Sequence, residues 1–281
     1  MKCNKIILTI AGLLVLFGAG LSALAVFMGA ATPENSVLQT QTADSSVSNI
    51  NISSSVGDVR FVSADTDKIT VTYTIEKTIQ YRFHADSDTL SLEAIPTRQL
   101  GLKWYDYIDF HFGSRAGQIT VTVPRDFSAD ITLDSNYGDI SLSGLKGSMQ
   151  LNADCGDVKL EHCAFSTFVC KLDYGDIELE QVSADTFQIT NSCGDIEAKD
   201  ISGDISASCD FGDIELERVT GKHIALDNNC GDIDCVILGS ELDYTIDAET
   251  HMGDKNIQNR QGGNHTLHAK TAMGDISVTF E

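Results

Sequence analysis

Residues 168–179 read Phe168-Val169-Cys170-Lys171-Leu172-Asp173-Tyr174-Gly175-Asp176-Ile177-Glu178-Leu179: an alternating apolar stretch, a Gly-Asp pair, then a second alternating stretch. Alternation with period 2 marks a strand with one buried face, and the parity changes across Gly175-Asp176, so the chain turns there. The same unit recurs on both sides. Gly-Asp stands at Gly57, Gly138, Gly156, Gly175, Gly194, Gly212, Gly231, Gly253 and Gly274, with steps of 18, 19, 19, 18 and 19 residues between Gly138 and Gly231. A fixed period near 19 predicts a single all-β domain, a parallel β-solenoid in which each coil buries its apolar face against the next.

Aligned on the glycine, each column has its own chemistry. Seven residues before it stand Ile131, Met149, Phe168, Phe187, Ile205, Ile224, Ile246 and Leu267, and the columns five before, two after and four after are also apolar with few exceptions. The column seven beyond, from Leu145 and Cys163 to Val219 and Leu238, closes the coil before the next strand. Immediately before the glycine come Tyr137, Cys155, Tyr174, Cys193, Phe211, Cys230, Met252 and Met273. Its alternation of large and small predicts core filling, with rings occupying space left by the cysteines of neighbouring coils. The register reaches back to Ile50 and Ile52, so the solenoid is expected over 49–281, with an irregular insertion at 76–116. The steps lengthen to 22 and 21 near the C-terminal end, where Lys255 and Arg260 replace apolar residues, as in a terminal cap.

The N-terminal 34 residues differ. Between Lys5 and Glu34 there is no charge, and such a stretch is long enough for a transmembrane helix with its basic flank in the cytoplasm. A long signal peptide cut after Gly29-Ala30-Ala31 is the alternative. Either way the remainder is expected outside the cytoplasmic membrane, with 35–48 as a polar linker. With 19 basic and 41 acidic residues, the net charge of -22 excludes nucleic acid and anionic lipid as partners of the solenoid.

Three groups could carry function. The aspartates after each glycine form a ladder; the expected role is accepting hydrogen bonds from backbone N–H groups of their own turns. A row of Ca²⁺ sites is the alternative, disfavoured because the Gly-Gly-x-Gly-x-Asp repeat is absent. The eight cysteines read as free thiols, since Cys155, Cys193 and Cys230 lie two rungs apart, ~9.6 Å, beyond disulfide reach. Arginine is sparse in the regular coils and the histidines, His265 and His268 included, fall at scattered offsets, so no catalytic residues, metal site or cofactor are expected. Within the insertion, Trp104, Tyr105, Tyr107, Phe110 and Phe112 are the candidate ligand-binding residues, able to stack on sugar rings, anchor a protein or cap the solenoid.

The repeated Tyr/Cys-Gly-Asp-Ile-x-Leu units, the apolar N-terminus and the strand Gln118-Ile119-Thr120-Val121-Thr122-Val123-Pro124 resemble the bacterial β-strand-repeat family of unknown function labelled "putative adhesin", over about residues 49–281. The resemblance implies an envelope or surface role and supplies no catalytic residue. The expected function is a non-enzymatic, single-pass membrane-anchored interaction module outside the cytoplasmic membrane. Its partner would be a protein or glycan of the envelope or surface. An envelope-stress accessory protein and a carbohydrate-active enzyme on the same scaffold are the alternatives.

Overall fold

The computed structural model describes residues 37–75, 79–97 and 117–281. The expected N-terminal span (1–34) and the candidate residues Trp104, Tyr105, Tyr107, Phe110 and Phe112 lie outside them. Among the described residues no helix is long and apolar enough to cross a membrane.

Each regular coil pairs a long strand before Gly-Asp with a short strand after it: β8 (Ser128–Tyr137) with β9 (Ile140–Ser143), β10 (Lys146–Cys155) with β11 (Val158–Glu161), and β12 (Ala164–Tyr174) with β13 (Ile177–Glu180). The series continues with β14 (Ser183–Cys193) and β15 (Ile196–Lys199), β16 (Ser202–Phe211) and β17 (Ile214–Val219), and β18 (His223–Cys230) and β19 (Ile233–Ile237). Long strands stack in parallel into one sheet and short strands into another, rung on rung. Register follows the sequence alignment: Leu133, Leu151, Cys170, Ile189, Ala207 and Leu226 are successive partners. These columns and those after the glycine are buried between the sheets. Column sizes compensate: Phe168 is fully buried beside the smaller Cys170 and meets Phe187 edge to face at 6.0 Å between centroids.

A second corner falls six residues beyond Gly138, Gly156, Gly175, Gly194 and Gly212. Gly144, His162, Gln181, Asp200 and Arg218 occupy it with φ between 52° and 70°, a conformation that costs non-glycine residues energy and recurs because the coil must close there.

Stacking order and chain order part company at both ends. β2 (Asn49–Ser54) and β3 (Val59–Ala64) lie against β8 and β9, but the chain then leaves to form β4 (Lys68–Ile75), β5 (Ile79–Ala85), β6 (Thr89–Pro96) and β7 (Ile119–Pro124) on their far side. β6 pairs in parallel with β2 and β7 with β3, while β5 and β4 are antiparallel edge partners of β6 and β7. Residues 37–44, inside the segment read as a linker, form strand β1 (Val37–Asp44), which extends the same sheet beyond β4. Part of the irregular insertion is therefore ordered strand, β5 and β6. At the C-terminal end β20 (Tyr244–Met252) is outermost, and β21 (His265–Met273) and β22 (Ile276–Phe280) return between it and the coil of β18 and β19.

The outer edge of β20 shows why Lys255 and Arg260 break the apolar rule. Ile246 exchanges both backbone hydrogen bonds with Arg260, the Ala248 N–H donates to Asn259 Oδ1, and the Lys255 ammonium donates to the Ala248 carbonyl. Backbone groups that would template another strand are occupied.

The glycine column is obligatory because rungs meet there backbone to backbone. A Cβ on Gly194, at φ +127°, would stand 2.1 Å from the Gly175 carbonyl oxygen, and the equivalent clash recurs along the column. Gly194→Ala is therefore expected to destabilise the fold by about 2–4 kcal/mol; urea melts with an unchanged midpoint would show that the rungs can separate there.

Candidate functional site

The Gly-Asp corner sets the surface chemistry. Asp139, Asp157, Asp176, Asp195, Asp213 and Asp232 each donate a backbone N–H to the carboxylate of the aspartate one rung before, starting from Asp58, at 2.7–3.1 Å. The ladder then follows stacking order, with Asp275 N–H on Asp232 and Asp254 N–H on Asp275, both at 2.7 Å. The aspartates do accept backbone N–H bonds, as expected, but from the neighbouring rung and not from their own turn. Among the described residues no group of three or more His, Cys, Asp or Glu side chains is arranged to hold a metal ion.

A second ladder closes the core behind the first. On four rungs the side chain three before the glycine donates to the glycine carbonyl of an adjacent rung: the buried Asn191 to Gly175, Asn228 to Gly212 and Thr271 to Gly231, and the half-buried Thr250 to Gly274, at 2.8–3.0 Å. On the rungs of Tyr137, Cys155 and Tyr174 the position holds the buried Ser135, Ala153 and Leu172. With the core sealed there, the two residues between this position and the glycine fall outside it.

This overturns the core-filling expectation for the column immediately before the glycine. Tyr137, Tyr174, Phe211, Met252 and Met273 are 58%, 61%, 60%, 63% and 44% exposed, and Cys155, Cys193 and Cys230 are half-buried between them. The alternation of large and small is real, but it lies on the outside. Tyr137, Cys155, Tyr174, Cys193, Phe211, Cys230, Met273 and Met252 are successive register partners, forming one continuous apolar ridge. Val56, at the same offset before Gly57, is also exposed. The polar column two before the glycine (Asn136, Asp154, Asp173, Ser192, Asp210, Asn229) continues the alternation and so predicts the next column inward; only the polar residues three before it (Ser135, Asn191, Asn228, Thr250, Thr271) mark that the inward face is already ending.

Polar residues border the ridge on both sides, this column on one and the aspartate ladder on the other. The outer face of the short-strand sheet is acidic as well. Glu178, Glu197 and Glu215 stand on consecutive rungs; Lys159 reaches Glu178 at 2.9 Å and Lys199 reaches Glu217 at 2.7 Å. Burial, together with Glu215 and Glu178 on either side, raises the Glu197 carboxyl above its ordinary value. His268 lies between Asp227 (3.8 Å) and Asp247 (3.4 Å), and His265 packs edge-on against Tyr244 at 5.0 Å.

A family model described as Toastrack DUF4097 matches residues 47–280. Among solved structures the chain is similar to a "putative adhesin" from Bacteroides fragilis, at 16% identity over 88% of this chain and 99% of that one, with a TM-score of 0.51. It is also similar to a "putative lipid binding protein" from Parabacteroides distasonis, at 15% identity over 87% and 98%, with a TM-score of 0.41. These likenesses concern the fold. A search of curated proteins finds no match.

Two measurements check this geometry. Asp195→Ala leaves the Asp213 N–H without its acceptor and should cost about 1–3 kcal/mol, whereas Asp195→Asn keeps an oxygen there and should cost less; equal losses would point to charge, and hence to bound cations, as the role of the ladder. Thiol alkylation of the native chain at pH 8 should modify Cys155, Cys193 and Cys230 well before Cys163, Cys170, Cys209 and Cys235. Burial pushes Cys170 and Cys235 up to about 12 and Cys209 to about 11. Unfolded thiols ionise near ~8.5, so the unfolded chain loses these protons first and stability should fall as pH rises from there towards 12.

Proposed function

The chain belongs to the Toastrack DUF4097 family, and we propose that it serves as a non-enzymatic scaffold, anchored by its apolar N-terminus outside the cytoplasmic membrane, that holds an envelope or surface partner along its apolar ridge. The observation that carries this reading is the ridge itself: eight register-paired positions of Tyr, Phe, Met and Cys, exposed or half-buried beside a core that is closed without them. Large apolar side chains in a contiguous exposed line contribute little to folding and mark a contact surface. Two further features favour binding over catalysis. Phe and Met bring no acid, base or nucleophile, and the surrounding carboxylates are spent on backbone hydrogen bonds or spread along sheet faces. The net charge of -22 keeps polyanions away and leaves neutral or cationic surfaces as partners.

Co-sedimentation of the full chain, held in detergent, with detergent-washed envelope fragments tests the reading. Wild type should pellet with the fragments, and a Tyr137→Ser, Tyr174→Ser, Phe211→Ser variant that melts normally should do so about tenfold less. Retention of binding by that variant, or no binding by wild type, would remove the ridge from the function.

A further inference from the structure

We propose that the ridge is a track for an extended β-1,4-linked glycan, with alternate sugar rings seated on Tyr137, Tyr174 and Phe211. The inference rests on the preceding reading and assigns the ligand class. Tyr137, Tyr174 and Phe211 occupy every second rung, each separated from the next by Cys155 or Cys193. Rungs lie ~4.8 Å apart, so the rings recur every ~9.6 Å, close to the ~10 Å advance of two sugars in an extended β-1,4 chain, whose apolar ring faces suit aromatic platforms. Aromatic residues on consecutive rungs would stack on one another within ~5 Å and occupy their own faces. The intervening cysteines prevent that, leaving each ring free to meet a ligand and a notch beside it for sugar substituents.

The flank supplies what a sugar needs next. Beside the rings run Asn136, Asp154, Asp173, Ser192, Asp210 and Asn229, and Asn229 already donates to Asp210 at 2.7 Å. Amides, carboxylates and hydroxyls at this spacing hydrogen-bond hydroxyl groups in any rotation, with no requirement for a charged partner. Other occupants fit less well. A second copy of this chain would set one carboxylate-bordered ridge against another, and nucleic acid or anionic lipid meets the same repulsion. An extended peptide repeats its side chains every ~6.7 Å, out of step with the rings. A helix shows similar side chains every ~10 Å, but it lays its apolar face into a groove, whereas Tyr137, Tyr174 and Phe211 stand out from a corner.

Calorimetric titration of the full chain with cello- and chito-oligosaccharides of two, four and six sugars decides the matter. Affinity should rise with length up to about four to six sugars, the span from Tyr137 to Phe211 being four rungs or ~19 Å, and α-1,4-linked oligomers of equal length should not bind. Tyr174→Ala should weaken the hexamer about tenfold, while Cys193→Ser in the adjacent notch should change it less than twofold, with both variants melting as wild type. Hexamer binding by both Tyr174→Ala and Phe211→Ala equal to that of wild type would place the sugar elsewhere and overturn the inference. Absence of hexamer binding at millimolar concentration, with ridge-dependent sedimentation intact, would overturn the glycan while leaving the interaction surface standing. Saturable binding of a lysine-rich amphipathic helical peptide in its place would identify a protein partner.

Discussion

The hydrogen bond from each aspartate N–H to the carboxylate one rung before is the constraint from which the rest of the surface follows. At the Gly-Asp corner the chain turns with glycine at strongly positive φ, and the aspartate N–H points along the stack, where the neighbouring side chain meets it. The arrangement is directional: each carboxylate from Asp58 to Asp275 along the stack caps one neighbour, so a row of negative charges ~5 Å apart is held by charge-assisted bonds that offset the repulsion. It does not depend on the period. Where the steps lengthen to 22 and 21, the extra residues sit in a short 3-10 turn (Glu241–Asp243) and in 253–264, outside the strands, and the ladder continues through Asp275 and Asp254 undisturbed.

Because glycine carbonyls of adjacent rungs approach so closely, the core must close before the corner; it does so with Asn191, Asn228, Thr250 and Thr271 donating to those carbonyls on four rungs, and with Ser135, Ala153 and Leu172 at the same position on others. Asn191, Asn228, Thr271 and Ser135, all three before the glycine, are among the few buried polar residues in an otherwise apolar interior. Their position frees the next two columns from packing. One became polar and the other aromatic, thiol or thioether, and the corner acquired an apolar line between two polar ones.

The ends of the stack obey a different requirement. A regular coil can be covered only by another coil, so a terminal one exposes strand edges that invite pairing with other chains. At one end this is managed by antiparallel strands β4 and β5 and by β1. At the other, β21 and β22 slip inside β20, whose outer edge is then taken up by Asn259, Arg260 and Lys255. Lys255 and Arg260, where the sequence pattern suggests a terminal cap, do terminate the repeat.

Much of this was present in the residue order alone. The Gly-Asp period, the inward columns from Ile131 to Leu267 and the parity change at the corner are local properties of each unit, so strands, register and core could be read without a structure. Three things could not. Which neighbour each aspartate serves, whether Tyr174 and Phe211 face in or out, and which strand lies beside β2 or β18 are all set by contacts between units far apart in the chain. The direction of a side chain at a corner depends on how closely the next backbone approaches, and stacking order depends on which edges need covering. A repeat unit encodes its own shape, and only its neighbours decide what that shape leaves exposed.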